Sequence, residues 1–339
     1  MQRTADILPE IRTEMVAANG LNFEVDMIGD GDHLIICLHG FPEHSVSWRF
    51  QLPYLARLGY RVWAPNLRGY GNSSAPRGIA AYSLENLMDD VGGLIDAAGC
   101  AKVTLMAHDW GAVIAWHFAM HQIRKIDQLV ICNVPHPGPA AAAMSWGQLR
   151  KSWYILFFQL PGLPERMLLK SPGMGAMIQT TAAAPENFSE KVVALYNENG
   201  RRKENVTAMI NYYRGLVRGG GMRRQKRLGL PIISVPTLML WGEDDMALSI
   251  ETTYGTENYV ENLTLRYLAG ISHWVQQDAP EAVNSMLGAF LAGEPVRHQL
   301  RQTAVGKGGR IGHDLTEVPT AEHHHHHSGV VGQRISQIV

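Results

Sequence analysis

Residues 102–116 read KVTLMAHDWGAVIAW. The first seven form a mostly apolar run of strand character. From Gly111 onward, small and apolar residues follow a helical pattern. Asp109 stands at the junction, with Ala107 two places before it and Gly111 two places after. A strand that turns directly into a helix leaves no room for large neighbours, so small residues flank the bend. Such a bend lifts the central side chain above the sheet and sets a helix N-terminus beneath it. Asp109 is therefore a candidate nucleophile. Aspartate is also a favoured helix cap, and this pentapeptide alone does not separate the two roles.

Outward from this stretch, short apolar runs alternate with helical patterns. Strands are expected at 33–39, 60–64, 102–108, 128–133, 236–241 and 263–268. Helices are expected at 83–98, 111–121 and 280–291. The near-continuous hydrophobicity of the middle strands suits a sheet covered on both faces. The alternation implies an α/β class with a mostly parallel, doubly wound sheet. Between about Gly138 and Arg227 the alternation stops. Helical patterns at 146–158, 188–197 and 206–217 are broken there by prolines and glycines. An all-helical insertion is expected at 138–230, between two core parts at 1–137 and 231–293. Inserted at the carboxyl end of a parallel sheet, it is placed to cover a ligand site.

The 339 residues are 46% hydrophobic and 18% charged, with formal net charge −1. That length supports a large core. The charge balance gives no reason to expect nucleic acid or a membrane as partner. Cys37, Cys100 and Cys132 lack the spacing of a zinc site or a disulfide framework. The reading is a soluble, cytoplasmic chain with no metal and no cofactor. His323 to His327 form an uninterrupted run that looks like an expression tag, so 294–339 are set apart from the fold.

Three further signals accompany Asp109. His39-Gly40-Phe41-Pro42 closes the first of these strands, and a loop there supplies one backbone N–H of an oxyanion hole. The residue after the nucleophile supplies the other, which assigns the two donors to Phe41 and Trp110. Pro42 after a bulky residue in a tight loop is compatible with a cis bond. Trp241-Gly242-Glu243-Asp244-Asp245 follows the fifth strand, and Ser272-His273-Trp274 follows the sixth. Nucleophile, acid and histidine thus occur in triad order. Asp245 is preferred to Asp244 by its offset from the strand.

A carboxylate nucleophile suits displacement at a saturated carbon and gives an alkyl-enzyme ester. His273 would then activate water, oriented by Asp245. A departing alkoxide needs a proton donor facing it. The helical insertion offers Tyr154, within a run of aromatic and aliphatic residues, and the pair Tyr212-Tyr213 before Arg214. Each tyrosine also fits an ordinary packing role.

Taken together, these motifs resemble the α/β-hydrolase-fold epoxide hydrolases, the soluble and microbial enzymes with a helical cap. The resemblance runs from about Asn19 to Ala292. It is carried by His39-Gly40-Phe41-Pro42-Glu43, Arg68-Gly69-Tyr70-Gly71, His108-Asp109-Trp110-Gly111-Ala112 and Asn133-Val134-Pro135-His136-Pro137. Phe158-Gln159-Leu160-Pro161-Gly162, Tyr213-Arg214 and Gly270 to Trp274 complete it. It implies opening of a small epoxide to a diol, with Asp109 as nucleophile, His273 as base and Asp245 as its charge partner. It makes Tyr154 and Tyr213 the ring-opening pair, Tyr213 because that tyrosine directly precedes the arginine. It also places Phe41 and Trp110 in the pocket, whose lining is expected to include Pro42, Phe157 and Trp274; the aromatic residues and methionines of the insertion point to an apolar aryl or alkyl substrate. Oligomeric state is not legible. A haloalkane dehalogenase shares the aspartate and the following tryptophan, but expects a side-chain amide where Phe41 stands. A non-catalytic ligand receptor on the same scaffold is the third reading.

Overall fold

The computed structural model describes residues 11–170 and 173–297. Eight strands form one sheet among them: β1 (Arg12–Ala18), β2 (Leu21–Ile28), β3 (His33–Leu38), β4 (Arg61–Pro65), β5 (Lys102–His108), β6 (Gln128–Cys132), β7 (Thr237–Gly242) and β8 (Leu263–Leu268). Their spatial order is β1-β2-β4-β3-β5-β6-β7-β8. From β4 to β8 every pairing is parallel; β2 pairs antiparallel with both β1 and β4.

The sheet is covered on both sides, as its hydrophobic strands predict. Ile36 and Leu38 of β3, with Leu105 and Ala107 of β5, join one core with α2 (Leu84–Ala98) and α3 (Trp110–Met120). The alternate residues Ile35, Cys37 and Met106 join a second core with α1 (Gln51–Arg57) and α12 (Pro280–Leu291). Each fully buried Leu, Ile or Phe in these layers stabilises the fold by roughly 1.5–3 kcal/mol. Ser83 opens α2 by accepting from the Asn86 amide, and Gly99 closes it in the left-handed conformation. Helix α3 is apolar on every side and is buried along nearly its whole length. It forms the floor beneath Asp109.

From residue 137 to residue 228 the described residues include helices and no strand: α4 (Pro137–Ala142), α5 (Trp146–Lys151), α6 (Trp153–Phe157), α7 (Leu163–Lys170), α8 (Met174–Thr181), α9 (Glu190–Asn199), α10 (Lys203–Val217) and α11 (Gly221–Leu228). The single helix expected over 146–158 is two. Ser152 has near-zero ψ, and its amide closes α5 on Gln148.

The sequence reading assigns no strand before His33, whereas β1 and β2 form a hairpin there. Its signal was present: Asn19-Gly20 is a two-residue hairpin turn, and both residues have positive φ. Phe23, Val25 and Met27 alternate inward along β2. The mostly exposed β1 hides the pattern. At the other end the core runs past Gly293. Val296 is buried, and its carbonyl accepts from Arg266 Nε at 2.9 Å. The histidine run at 323–327 lies outside the described residues. Among the described residues, no helix is long and apolar enough to cross a membrane.

Candidate active site

Asp109 sits at the carboxyl end of β5 with φ 46° and ψ −122°. This conformation costs a non-glycine residue of order 1–3 kcal/mol. It occupies the cap position of α3, but its side chain makes no capping bond. The carboxylate turns instead to two other loops. Oδ1 accepts from the Phe41 amide at 2.5 Å, and Oδ2 lies 3.6 Å from His273 Nε2. The glycines around it make this possible. A Cβ on Gly40 would lie 2.3 Å from Asp109 Oδ1, and one on Gly111 would lie 2.4 Å from the Leu38 carbonyl.

His273 is 5% exposed and sits on the loop after β8. Its Nδ1 lies 2.6 Å from Asp245 Oδ2. The other Asp245 oxygen accepts from the amides of Ala247 at 2.7 Å and Leu248 at 2.9 Å. Asp244 is exposed, so the structure brings Asp245 rather than Asp244 to the histidine. The two loops abut closely: a Cβ on Gly242 would lie 2.2 Å from the Ser272 carbonyl.

Burial alone would raise both carboxyls. For Asp109, the facing His273 and the Phe41 amide outweigh it and hold the group below the ordinary range. For Asp245, His273, Asn133 and the Leu248 amide do the same. Burial alone would depress His273; the Asp245 and Asp109 carboxylates outweigh it and raise its pKa well above 6.5.

The Phe41-Pro42 bond is cis. His39 braces this loop. Its Nε2 accepts from the Leu67 amide at 3.1 Å and its Nδ1 faces the Gly40 carbonyl at 3.0 Å. That pairing puts the proton on Nδ1, and burial pushes the ring's pKa down to about 4, so it stays neutral. The Trp110 amide is the first of α3.

The tyrosines come from opposite helices of the insertion. Tyr154 on α6 and Tyr213 on α10 have ring centroids 5.8 Å apart. Tyr213 also meets Trp110 at 5.0 Å, Phe41 at 5.5 Å and Phe158 at 5.0 Å. Tyr212 points elsewhere, donating its hydroxyl to the Arg68 carbonyl at 2.9 Å. Burial, with the Asp109 charge nearby, pushes the pKa of Tyr154 and of Tyr213 up, so both phenols keep their protons.

Two expected lining residues also make contacts away from this group. Trp274 touches the His273 ring at 5.0 Å, but its indole N–H reaches Thr181 of α8 and its ring packs with Ile178, Phe188 and Tyr196. Phe157 packs on Trp153 and Phe158.

Several residues with no role read from sequence hold the site together. Asn133, with φ 47°, donates to Asp245 Oδ2 and accepts from the Gly242 amide. Glu43 accepts from the Gly40 amide and faces His108 Nδ1 at 2.7 Å, while His108 Nε2 faces the His273 carbonyl at 2.8 Å. Gln148 of α5 clamps the Asp245 loop, donating to the Ala247 carbonyl and accepting from the Ser249 amide. Buried Glu165 pairs with Arg214 at 2.6 Å. A polar residue at a strand end or inside an apolar helix signals such a role, but its partner lies far off in sequence. Among the described residues, no group of three or more His, Cys, Asp or Glu side chains is arranged to hold a metal.

Comparison with known proteins agrees with this architecture. A family model described as the alpha/beta hydrolase fold matches residues 33–280. "Epoxide hydrolase 2" of Caenorhabditis elegans is 36% identical over 269 residues, covering 77% of this chain and 74% of that protein. "Epoxide hydrolase 1" of the same organism is 35% identical, covering 77% of this chain; the match spans 65% of that protein's length. The crystal structure of Epoxide Hydrolase A from Mycobacterium thermoresistibile aligns with TM-score 0.74 at 29% identity, covering 85% of this chain and all of that one. The chain belongs to the α/β-hydrolase fold family, on its epoxide hydrolase branch.

Proposed function

We propose that this protein hydrolyses an epoxide to a vicinal diol through a covalent ester on Asp109. The observation that carries this reading is the arrangement on one carboxylate. Asp109 faces His273 on one oxygen and accepts the Phe41 amide on the other, with the Tyr154 and Tyr213 phenols held nearby. An ionised carboxylate attacks an epoxide carbon, and the C–O bond of the ring breaks. Tyr154 and Tyr213 donate hydrogen bonds to the departing oxygen, and one gives it a proton. The product of this step is a hydroxyalkyl ester of Asp109.

In the second step His273 takes a proton from water, and the hydroxide attacks the Asp109 carbonyl carbon. Asp245 orients the imidazole and stabilises its charged form. The Phe41 and Trp110 amides hold the oxyanion that forms on Asp109 itself; one such donor contributes about 3 kcal/mol to lowering a barrier of this kind. Collapse expels the alkoxide, which takes the proton held by His273 and leaves as the diol. The Asp109 carboxyl gives up its remaining proton to solvent and the tyrosinate regains one from it, which restores the resting carboxylate and phenol. No cofactor enters either step.

The rings of Phe41, Trp110, Phe158 and Tyr213 favour an apolar aryl or alkyl substrate. Three cysteines standing as free thiols support a cytoplasmic setting.

A His273→Gln variant tests the reading, because it removes the base of the second step only. Incubated with styrene oxide, it should gain an intact mass equal to one epoxide. Absence of that adduct, together with turnover of chloroalkanes by the parent protein, would overturn the proposal.

A further inference from the structure

Helix α6 reads Trp153-Tyr154-Ile155-Leu156-Phe157, five apolar or aromatic residues in succession, and none is buried. A helix that is apolar all round belongs in a core or against lipid. Here one side faces the site, where Tyr154 meets Tyr213. The other side faces outward, with Trp153 61% and Leu156 72% exposed. The flanking helices repeat the pattern. On α5, Trp146 is 83% exposed, and Arg150 shares its face one turn on. On α7, Pro164 and Glu165 turn inward, while Leu163, Arg166, Met167 and Lys170 turn out. Single exposed apolar residues are ordinary, but three consecutive helices that each turn large apolar side chains outward mark an interaction surface.

The exposed charge carried by these three helices has one sign. Between residues 138 and 184 the only carboxylate is Glu165, which is buried and paired with Arg214. Arg150, Arg166 and Lys170 are all exposed. The near-neutral whole-chain charge, from which no membrane partner is expected, conceals this local excess. A second copy of the chain is a poor occupant. In a two-fold pairing the same patch meets itself, and these cations would then face one another without a counter-charge. Tryptophans beside arginine and lysine suit an anionic bilayer, where indoles sit at headgroup level and cations meet lipid phosphates.

We propose that the outer face of α5, α6 and α7 docks on an anionic phospholipid surface. Docking would hold the site about one helix diameter, roughly 10 Å, from the bilayer. An apolar substrate dissolved in lipid would then have a short path to Tyr154. Only this last benefit rests on the epoxide reading; the docking does not.

The test is co-sedimentation of the whole chain with vesicles of mixed phosphatidylglycerol and phosphatidylcholine, and with phosphatidylcholine alone. Binding should be at least about tenfold stronger to the anionic vesicles and should weaken as salt rises. A Trp146→Ser/Trp153→Ser double variant should lose binding while turning over a water-soluble epoxide like the parent. Arg150→Gln/Arg166→Gln, which leaves the apolar residues in place, should weaken binding and flatten its salt dependence. Three results would overturn the proposal: no vesicle binding by the parent, equal binding by both variants, or a parent dimer in solution that the tryptophan variant dissociates. Binding without turnover would leave docking standing and count against the epoxide reading alone.

Discussion

Asn133 donates its side-chain amide to the Asp245 oxygen that also faces His273, at 2.9 Å and 2.6 Å respectively. The acid is thus fixed from one side by the residue that follows β6 and from the other by the histidine. The same asparagine accepts from the Gly242 amide, so it joins the ends of β6 and β7.

An Asn133→Ala variant should lose about 1–3 kcal/mol of stability, because the buried Gly242 amide loses its acceptor and Asp245 loses a donor. Alanine at positive φ adds strain, so Asn133→Gly serves as the control that removes it. Thermal denaturation reads the loss. Single-turnover kinetics should show ester hydrolysis slowed more than ester formation. Equal slowing of both steps would count against a role for Asn133 in aiming Asp245.

His273 has its pKa raised by Asp245 and by Asp109, against the opposing effect of burial. Esterification removes the Asp109 charge, so His273 should become a free base at lower pH in the intermediate than in the resting protein. An Asp109→Asn variant imitates that loss. Its imidazole should titrate lower than the parent's by NMR. The raised folded value also means that His273 adds stability fully present below its ordinary 6.5 and lost as pH rises through the folded value. In Asp109→Asn that alkaline loss should begin at lower pH. Asp109 and Asp245, both depressed, act at the acid end: their contribution is present above 3.8 and lost as pH falls through their folded values. An unchanged His273 titration in the variant would contradict the coupling.

Tyr154→Phe and Tyr213→Phe should each slow ester formation by about a hundredfold or more, the usual scale of a lost general acid. The double variant should be close to inactive. Rapid-mixing tryptophan fluorescence during alkylation separates this from hydrolysis, which neither phenol serves. Parent-like rates in both single variants would remove the tyrosines from the mechanism.

Arg214 donates to Glu165, to the Phe158 carbonyl at 2.9 Å and to the Leu160 carbonyl at 2.6 Å. It ties α10, which bears Tyr213, to the turn after α6, which bears Tyr154. Arg214→Met should cost about 3–5 kcal/mol by leaving a buried carboxylate unpaired. Adding Glu165→Met should restore much of the stability without restoring ester formation, since the two carbonyls remain unheld. Denaturation midpoints and alkylation rates measured on the same variants decide it.

Consecutive residues alone specify the α/β class, the strand–turn–helix bend at Asp109, the order Asp109, Asp245, His273, and the helical insertion carrying both tyrosines. These are local properties: hydrophobic period, small residues at a tight bend and segment order are written in consecutive residues. Folding fixed which partners meet. It turned the Tyr212 hydroxyl to Arg68 and left Asp244 exposed, in keeping with the preference for Tyr213 and Asp245 already stated from the sequence. It supplied the Asn133, Glu43, His108 and Glu165 contacts, and turned Trp274 toward α8. Each of these depends on distances between segments far apart in the chain, which are fixed only when the loops at the strand ends close on one another.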